Sequence, residues 1–205
     1  MQIMHIVKYK NYEEYVEMQI KMSIDGYTKN CVWVTDSVLD KIVEVLKVHK
    51  SDFSNSKGLC HGVRTGYENN FLQKKLNFPV IGTDICDLAE KNKVPGVITY
   101  DFNKHNRDWI NCFDFIYSNS LDHSIDPDST LKIWSEQLKD DGILFLEWSQ
   151  GATIESYADC FCATKTEYEF LVKKYFNILK IENFEGADFV GQRFGTCLFI
   201  LSKLL

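Results

Sequence analysis

Proline is scarce and linker-like sequence is missing from this chain of 205 residues. The prolines are Pro79, Pro95 and Pro127, and we find no repeat, no low-complexity tract and no stretch rich in proline and glycine. A chain of this length without a linker fits one compact domain. We expect a helical lead-in over residues 1–56 that packs on a core formed by residues 57–205.

Long apolar runs and clusters of basic residues are also missing. No run approaches the roughly 20 apolar residues that a membrane-spanning helix needs, and the residues after Met1 lack the charged start and apolar centre of a signal peptide. We therefore expect a cytoplasmic protein without a membrane partner. The net charge is −6, and no basic stripe could follow a phosphate backbone. Nucleic acid is not an expected partner.

The cysteines give no metal-binding pattern. There are seven, an odd number, and most lie inside apolar runs, as is typical of reduced thiols in a protein core. Cys160 and Cys162 are separated by one residue, but no second pair of cysteines or histidines lies at the spacing of zinc ligands. We expect no metal site.

Short apolar segments alternate with helical patterns after residue 57. The segments predicted as strands are 58–61, 80–83, 96–100, 113–118 and 143–148, and the predicted helices are 12–22, 36–48, 66–76, 86–92, 106–110, 129–138 and 166–175. Strands that are apolar throughout indicate a parallel sheet with helices on both faces. Two late strands, 176–183 and 196–202, have no helix between them and must pair antiparallel. The pattern predicts an α/β fold with a doubly wound, mostly parallel seven-stranded sheet and a C-terminal antiparallel hairpin.

The turn after the first predicted strand is the first candidate binding site. Gly62 and Gly66 lie between that strand and a helix, where bare backbone and a helix N-terminus can meet a ligand. The next strand ends at Asp84, 18 residues after Gly66, where nucleotide-binding units hold the ribose. The third strand ends at Asp101 and Phe102, which can reach an adenine amine and cover its ring. All these strand ends should meet at the carboxyl edge of the sheet.

The order of these segments resembles that of class I S-adenosylmethionine (SAM)-dependent methyltransferases, over nearly the whole chain. Residues 62–66 are similar to the family's glycine motif, Asp84 to its ribose-binding acid, and Asp101 with Phe102 to its adenine-side motif. Residues 118–123 are similar to the fourth motif and 139–142 to the turn before the fifth strand. The resemblance implies SAM as cofactor. The implied cofactor-binding residues are His61, Gly62, Arg64, Gly66, Asp84, Ile85, Asp101, Phe102, Ser118 and Asn119.

Two departures from the family pattern change the expected contacts. Cys60 stands where the family has an acid before the glycine loop, so one contact to the SAM amino group is lost. Arg64 replaces the middle glycine and either binds the SAM carboxylate or bonds to surface groups such as Glu68. Glu68 itself is expected to interact with the helix dipole.

Catalysis is expected from the segment after the fourth strand. In-line methyl transfer needs an aligned acceptor and a dry site, and an oxygen or amine acceptor can also need a base. His123 is the leading candidate base and Asp122 the second, although either could instead stabilise the loop. His61 either packs beside the amino-acid end of SAM or forms structural hydrogen bonds.

Three functions are compatible with the sequence. The first is a SAM-dependent methyltransferase acting on a small molecule, a sugar or another metabolite, with segment 149–161 and the N-terminal helices forming the acceptor pocket. The second is a SAM-binding partner or regulatory protein without catalysis, which Cys60 and Arg64 keep open. The third is an NAD-type oxidoreductase, which is disfavoured because residues 62–66 lack the G-x-G-x-x-G spacing.

Overall fold

The computed structural model describes residues 4–149, 156–185, 188–189, 192–193 and 195–204. The helices are α1 (Tyr12–Thr28), α2 (Asp36–His49), α3 (Tyr67–Leu76), α4 (Leu88–Lys91), α5 (Pro127–Gln137) and α6 (Lys165–Val172), with single 3-10 turns at Arg107–Trp109 and Leu121–His123. The strands are β1 (His5–Ile6), β2 (Gly58–His61), β3 (Val80–Asp84), β4 (Val97–Thr99), β5 (Phe113–Ser118), β6 (Leu138–Ser149), β7 (Phe161–Cys162), β8 (Phe176–Phe184), β9 (Asp188–Phe189), β10 (Gln192–Arg193) and β11 (Thr196–Lys203).

These elements form a mixed α/β fold around one seven-stranded sheet. The strand order is β4-β3-β2-β5-β6-β11-β8. The first five of these strands pair parallel, and β11 pairs antiparallel with both β6 and β8. The parallel-rich sheet and the C-terminal antiparallel hairpin that the sequence predicts are therefore present. Two short antiparallel ribbons, β1 with β7 and β9 with β10, are additions that the sequence pattern does not predict.

The two faces of the sheet pack against different helices. Leu144 and Leu146 of β6 join the apolar cluster that contains Trp134 of α5, while Ile143 and Phe145 join the cluster that contains α2 and α3. Successive strand residues point to opposite faces, so a strand covered on both sides is apolar at every position. This is why residues 115–117 and 143–146 of the predicted strands are apolar at every position.

Several element boundaries differ from the predicted ones. α5 begins at Pro127, because Asp126 accepts the backbone N–H of Ser129 and so caps the helix earlier. The predicted helices 86–92 and 106–110 shrink to α4 and a single 3-10 turn, and the predicted turn 139–142 is already part of β6. α1, with 17 residues, extends to Thr28. No helix in the described part of the chain is long and apolar enough to cross a membrane.

α1 buries a polar face rather than an apolar one. Tyr15, Met18 and Met22 lie one helical turn apart on one side of the helix, but the two methionines are only partly buried. The buried residues of α1 are Tyr15, Gln19, Ser23 and Gly26. Their spacing of three to four residues places them on one side of the helix. That side lies over the carboxyl edge of the sheet, where most of its partners are polar.

Candidate functional site

Three parallel strands end together beneath α1. His61 at the end of β2 lies beside Thr83 of β3 and Ser118 of β5 in the sheet register. α1 is tied across this edge, since the Gln19 side-chain amide donates to the carbonyl oxygen of Ala158 at 2.9 Å. The space beneath it forms two neighbouring cavities of about 640 and 50 Å³. Both are lined by Gly62, Arg64 and His123, among others.

The loop after β2 has a conformation that fixes Arg64. Gly62 has a φ of 75°, and a Cβ there would lie 2.4 Å from the Ser120 hydroxyl oxygen, so this position requires glycine. Arg64 also has a positive φ, 43°, where the family pattern has glycine. Its backbone N–H donates to Asp84 at 2.9 Å, and its guanidinium packs against Gly26 of α1. Arg64 therefore lies between the cavities and α1.

Asp84 joins the loop, the end of β3 and α1. Its Oδ1 accepts the Ser23 hydroxyl at 2.7 Å and the backbone N–H of Cys86 at 2.9 Å, while Oδ2 accepts the backbone N–H of Arg64. The residue is buried and lines the smaller cavity. Charge-assisted bonds of this kind are among the stronger ones in proteins. The Ser23 hydroxyl thus occupies a position on this carboxylate that a ribose hydroxyl could take.

The predicted adenine-side residues also lie under α1. Ile85, Asp101 and Phe102 line the smaller cavity of about 50 Å³. Asp101 accepts the Tyr12 hydroxyl of α1 and the amide of Asn103. A cavity of that size has room for a few waters and is too small for a nucleoside. A ligand with an adenosine group therefore requires α1 to move outward.

Ser23→Ala is expected to tighten binding of an adenosine-containing ligand by about 2- to 10-fold. The variant removes a hydrogen bond to a charged group that the ligand must otherwise displace, a bond of roughly 1.5–3 kcal/mol that the ligand regains only in part. Calorimetric titration with S-adenosylhomocysteine measures the change. Ser129→Ala is the matched control, because Ser129 bonds Asp126 at the start of α5. Weaker binding to Ser23→Ala would mean that Ser23 and the ligand bind Asp84 together.

His61 is buried and is not among the residues that line the two cavities, and its place beside the cofactor stays a prediction. Its ring nitrogens bond the Thr83 hydroxyl at 2.8 Å and the Gln137 side-chain oxygen at 3.0 Å. Its ring stacks on Trp134 at a centroid distance of 4.9 Å. Burial lowers the His61 pKa to about 4, so the ring is neutral. The structural alternative for His61 is the one that the geometry supports.

Gly66 and Ser118 also shape the site without lining it. A Cβ on Gly66 would lie 2.6 Å from the Val94 side chain, so this glycine allows close packing at the start of α3. The Ser118 hydroxyl donates to the carbonyl oxygen of His61 at 3.1 Å and accepts the backbone N–H of Ser120. Both residues support the two loops, and their contact with the cofactor stays a prediction. Asn119, by contrast, lines the larger cavity.

His123 is held with one ring nitrogen facing protein and the other available. Nδ1 lies 2.8 Å from the carbonyl oxygen of Ala158. A carbonyl oxygen only accepts, so Nδ1 carries a proton and Nε2 of the neutral ring is an acceptor. Nε2 is 4.0 Å from Oδ1 of Asp122, and the residue lines both cavities. This tautomer and position suit a general base.

Asp122, His123 and Asp159 form a group that could instead hold a metal ion. Each offers one ligand atom, and the three atoms lie within 4.8 Å of one another. Oδ1 of Asp122 is buried and has no hydrogen-bond partner. Carboxylate oxygens and an imidazole nitrogen are a common set of ligands for divalent cations. The sequence gives no sign of this group, because Asp159 is far from the other two along the chain.

Two buried glutamates line the larger cavity, and the sequence predicts neither of them as a site residue. Burial raises the pKa of Glu68 to about 8 and that of Glu147 to about 7. Glu147 bonds the hydroxyls of Tyr117 at 2.5 Å and Thr196 at 3.1 Å, whereas Oε2 of Glu68 is buried without a partner. Glu68 lies in the first turn of α3, as the sequence predicts, but it also lines the cavity. Its four-residue spacing from Leu72, on the buried face of α3, is a signal that could have revealed this.

Comparison with known proteins identifies the fold. No protein-family model matches the chain, and no curated protein matches its sequence. Among solved structures, 1,6-didemethyltoxoflavin-N1-methyltransferase from Burkholderia thailandensis, with 1,6-didemethyltoxoflavin and S-adenosylhomocysteine bound, has a TM-score of 0.66 at 13% identity, over 97% of this chain and 95% of that one. The (4+2)-cyclase SpnF has a TM-score of 0.66 at 14% identity, over 98% and 99%. Phosphoethanolamine N-methyltransferase 2 from Haemonchus contortus, in complex with SAM, has a TM-score of 0.56 at 15% identity, over 81% and 53%.

The chain has the class I SAM-dependent methyltransferase fold. The strand order, with the last strand inserted antiparallel between β6 and β8, and the solved structures agree on this. One of the similar structures is that of a cyclase, so the fold serves more than one reaction. The activity of this chain must therefore be argued from its own site.

Proposed function

We propose that this chain binds SAM at the carboxyl edge of its sheet and transfers the methyl group to a small molecule. The observation that carries the proposal is the cavity of about 640 Å³ between the Gly62 loop and His123. Its volume lies in the range of small-molecule sites. It continues toward Asp84 and Asp101 through shared lining residues, so one ligand could span both regions.

The polar groups around the two cavities fit the parts of SAM. Asp84 would accept the ribose hydroxyls once Ser23 withdraws, and Ile85, Asp101 and Phe102 would surround the adenine. Arg64, which faces both cavities, would bind the carboxylate of the amino-acid end. At each of these positions the protein group matches the hydrogen-bonding or packing needs of one part of SAM. The smaller cavity is too small for adenosine, and an outward movement of α1 would provide the space.

The residues near His123 would prepare the acceptor. When bound, SAM supplies a methyl group activated by its positive sulfur. Nε2 of His123 would accept the proton of an acceptor hydroxyl or amine, while Ala158 holds the other ring nitrogen. Trp148 and Tyr168 line the same cavity and would limit the access of water. In-line geometry and a dry site are the main requirements of this reaction.

A small acceptor suits this site better than a nucleic acid. α1 crosses the edge of the sheet, so the cavity is partly covered rather than open along a groove. The net charge of −6 and the scattered basic residues offer no path for a phosphate backbone. We propose a sugar or another metabolite as the acceptor, in the cytoplasm, with the aromatic lining as the acceptor surface.

The wild-type protein is expected to bind SAM and S-adenosylhomocysteine and to ignore NAD. Calorimetric titration with the three ligands measures this directly. Asp84→Asn should weaken S-adenosylhomocysteine binding by about 10-fold or more, because charge-assisted hydrogen bonds to the ribose are lost. Glu13→Gln on the exposed side of α1 is the control.

The two alternative functions give different outcomes in the same experiments. Binding of NAD without SAM would overturn the proposal and favour an NAD-type oxidoreductase. Binding of SAM without transfer of a labelled methyl group to any small-molecule fraction of a cell extract would favour a non-catalytic SAM-binding partner. Two features favour this second candidate: the positive φ of Arg64 and the hydrogen bond between Ser23 and Asp84.

A further inference from the structure

Glu68 places a carboxyl group with an unpartnered oxygen in the wall of the larger cavity. The residue is 5% exposed, and Oε2 has no hydrogen-bond partner. A buried acceptor without a donor is costly, and such groups are rare in folded proteins. The cavity beside it has room for a bound molecule that could supply the donor. Glu68 is therefore placed to receive a ligand group that donates hydrogen bonds.

Arg64 lies close enough to Glu68 for its charge to act on the carboxyl group. Both side chains line the larger cavity. The wall thus presents a guanidinium group and a carboxyl group as neighbours. The α-carbon of an amino acid carries a carboxylate and an ammonium group as neighbours in the same way. A zwitterionic amino-acid group would pair with both side chains at once.

Cys60 supports the role of Glu68, because β2 offers no carboxyl group at that position. Cys60 is fully buried in β2, two residues before Gly62, and it lies near enough to Glu68 for an ionised carboxylate there to raise the Cys60 pKa. A thiol is a weak hydrogen-bond acceptor and carries no charge here, because burial raises the Cys60 pKa. Glu68, in the first turn of α3, therefore supplies the carboxyl group that β2 lacks at Cys60.

We infer that Glu68 binds the α-ammonium group of the cofactor while Arg64 binds its α-carboxylate. This inference rests on the proposed function, since it assigns one end of a bound SAM. It explains why the loop tolerates Cys60. It also explains why a glutamate, rather than an apolar residue, occupies the buried face of α3 next to Leu72.

Glu147 provides a matched control within the same cavity. It is also a buried glutamate, 9% exposed, but its two oxygens are engaged by the hydroxyls of Tyr117 and Thr196. It has no unpartnered oxygen to offer to an ammonium group. Replacing Glu147 with Gln changes a buried charge near the site without removing the contact inferred for Glu68.

The test compares S-adenosylhomocysteine with its deamino analogue, in which hydrogen replaces the α-amino group. Calorimetric titration is done with the wild type, Glu68→Gln and Glu147→Gln. We expect the wild type to bind the deamino ligand about 10-fold or more weakly, the range of a lost charge-assisted hydrogen bond. Glu68→Gln should bind the two ligands about equally, and Glu147→Gln should discriminate like the wild type. Thermal unfolding confirms that each variant is folded.

The outcomes separate the inference from the proposed function. A wild type that binds S-adenosylhomocysteine but does not discriminate between the ligands would overturn the inference and leave SAM binding intact. So would a Glu68→Gln variant that still discriminates fully. A wild type that binds neither ligand would remove the proposed function itself. If Glu68→Gln does not fold, Glu68→Ala takes its place in the comparison with the same expected result.

Discussion

His123→Ala is expected to lower the rate of methyl transfer by on the order of 10²-fold or more while leaving SAM affinity unchanged. The ring carries its proton on Nδ1, which bonds Ala158, so Nε2 is the acceptor that faces the cavity. Alanine removes that acceptor. The backbone of His123 is held separately, because its carbonyl oxygen accepts the Tyr15 hydroxyl at 3.0 Å. The loop should therefore keep its shape in the variant.

The measurement needs both a rate and a binding constant. Transfer from labelled SAM to the accepting small-molecule fraction gives the rate, and titration with S-adenosylhomocysteine gives the affinity. His105→Ala is the control, since His105 lies near Glu136 on the surface and lines neither cavity. An unchanged rate in His123→Ala would remove the base role. Equal loss of rate and affinity would point instead to a role in shaping the loop.

A divalent cation is the main competing explanation for the importance of His123. Asp122, His123 and Asp159 could hold one together, and then Asp159→Asn would affect the rate as strongly as His123→Ala. A base role predicts a smaller effect of Asp159→Asn. Asp159 lies 3.7 Å from Nδ1, which already carries a proton, whereas the base would accept a proton at Nε2. Treatment with EDTA separates the two explanations. Loss of transfer on chelation, restored by Mg²⁺, would contradict the base assignment.

The sheet and the strand-end acids could be predicted because they depend on short-range patterns. The central stretches of β5 (115–117) and of β6 (143–146) are apolar throughout, and this follows from burial on both faces. Asp84 and Asp101 stand at or just after the ends of β3 and β4, where the chain must turn. The parallel arrangement then brings these ends to one edge. These features are local in sequence, so a single chain reveals them.

The cover of the site could not be predicted because it depends on contacts between distant segments. Ser23 and Asp84 are 61 residues apart, and Gln19 and Ala158 are 139 residues apart. The buried face of α1 is mostly polar, so an apolar pattern revealed Tyr15 but not Gln19 or Ser23. The contacts of His61 could not be predicted for a related reason. Sequence showed that it lies in the turn but not that its ring stacks on Trp134 of α5.

Glu68 and Glu147 should make the ligand-free protein less stable as the pH rises from about 5 to about 8. Burial raises the pKa of Glu68 to about 8 and of Glu147 to about 7, above the ordinary value of 4.5. The folded state then holds these protons more tightly than the unfolded state. Folding is favoured by the protonated form at low pH, and this advantage is lost as the pH rises through the folded-state pKa.

The expected loss of stability is several kcal/mol. Each pKa unit corresponds to about 1.4 kcal/mol, so full ionisation of Glu68 alone would cost about 5 kcal/mol. The two glutamates repel each other when both are ionised, so their effects do not add simply. The other groups whose charge acts on Glu68 are Arg64 and Asp84, and an ionised Glu68 in turn raises the pKa of Cys60, Tyr67 and Tyr117. Only Arg64 among them offsets the cost of ionisation.

Urea unfolding at pH 5.5 and pH 8.5 measures the loss, with Glu68→Gln as the test variant and Glu13→Gln as the exposed control. Glutamine cannot ionise, so Glu68→Gln should lose about 2–4 kcal/mol less than the wild type over this range. The same slope in both proteins would show that Glu68 is solvated or paired. Saturating S-adenosylhomocysteine should also reduce the loss in the wild type, because its ammonium group would compensate the ionised carboxylate. The deamino analogue should not, which links the pH dependence of the fold to the cofactor contact of Glu68.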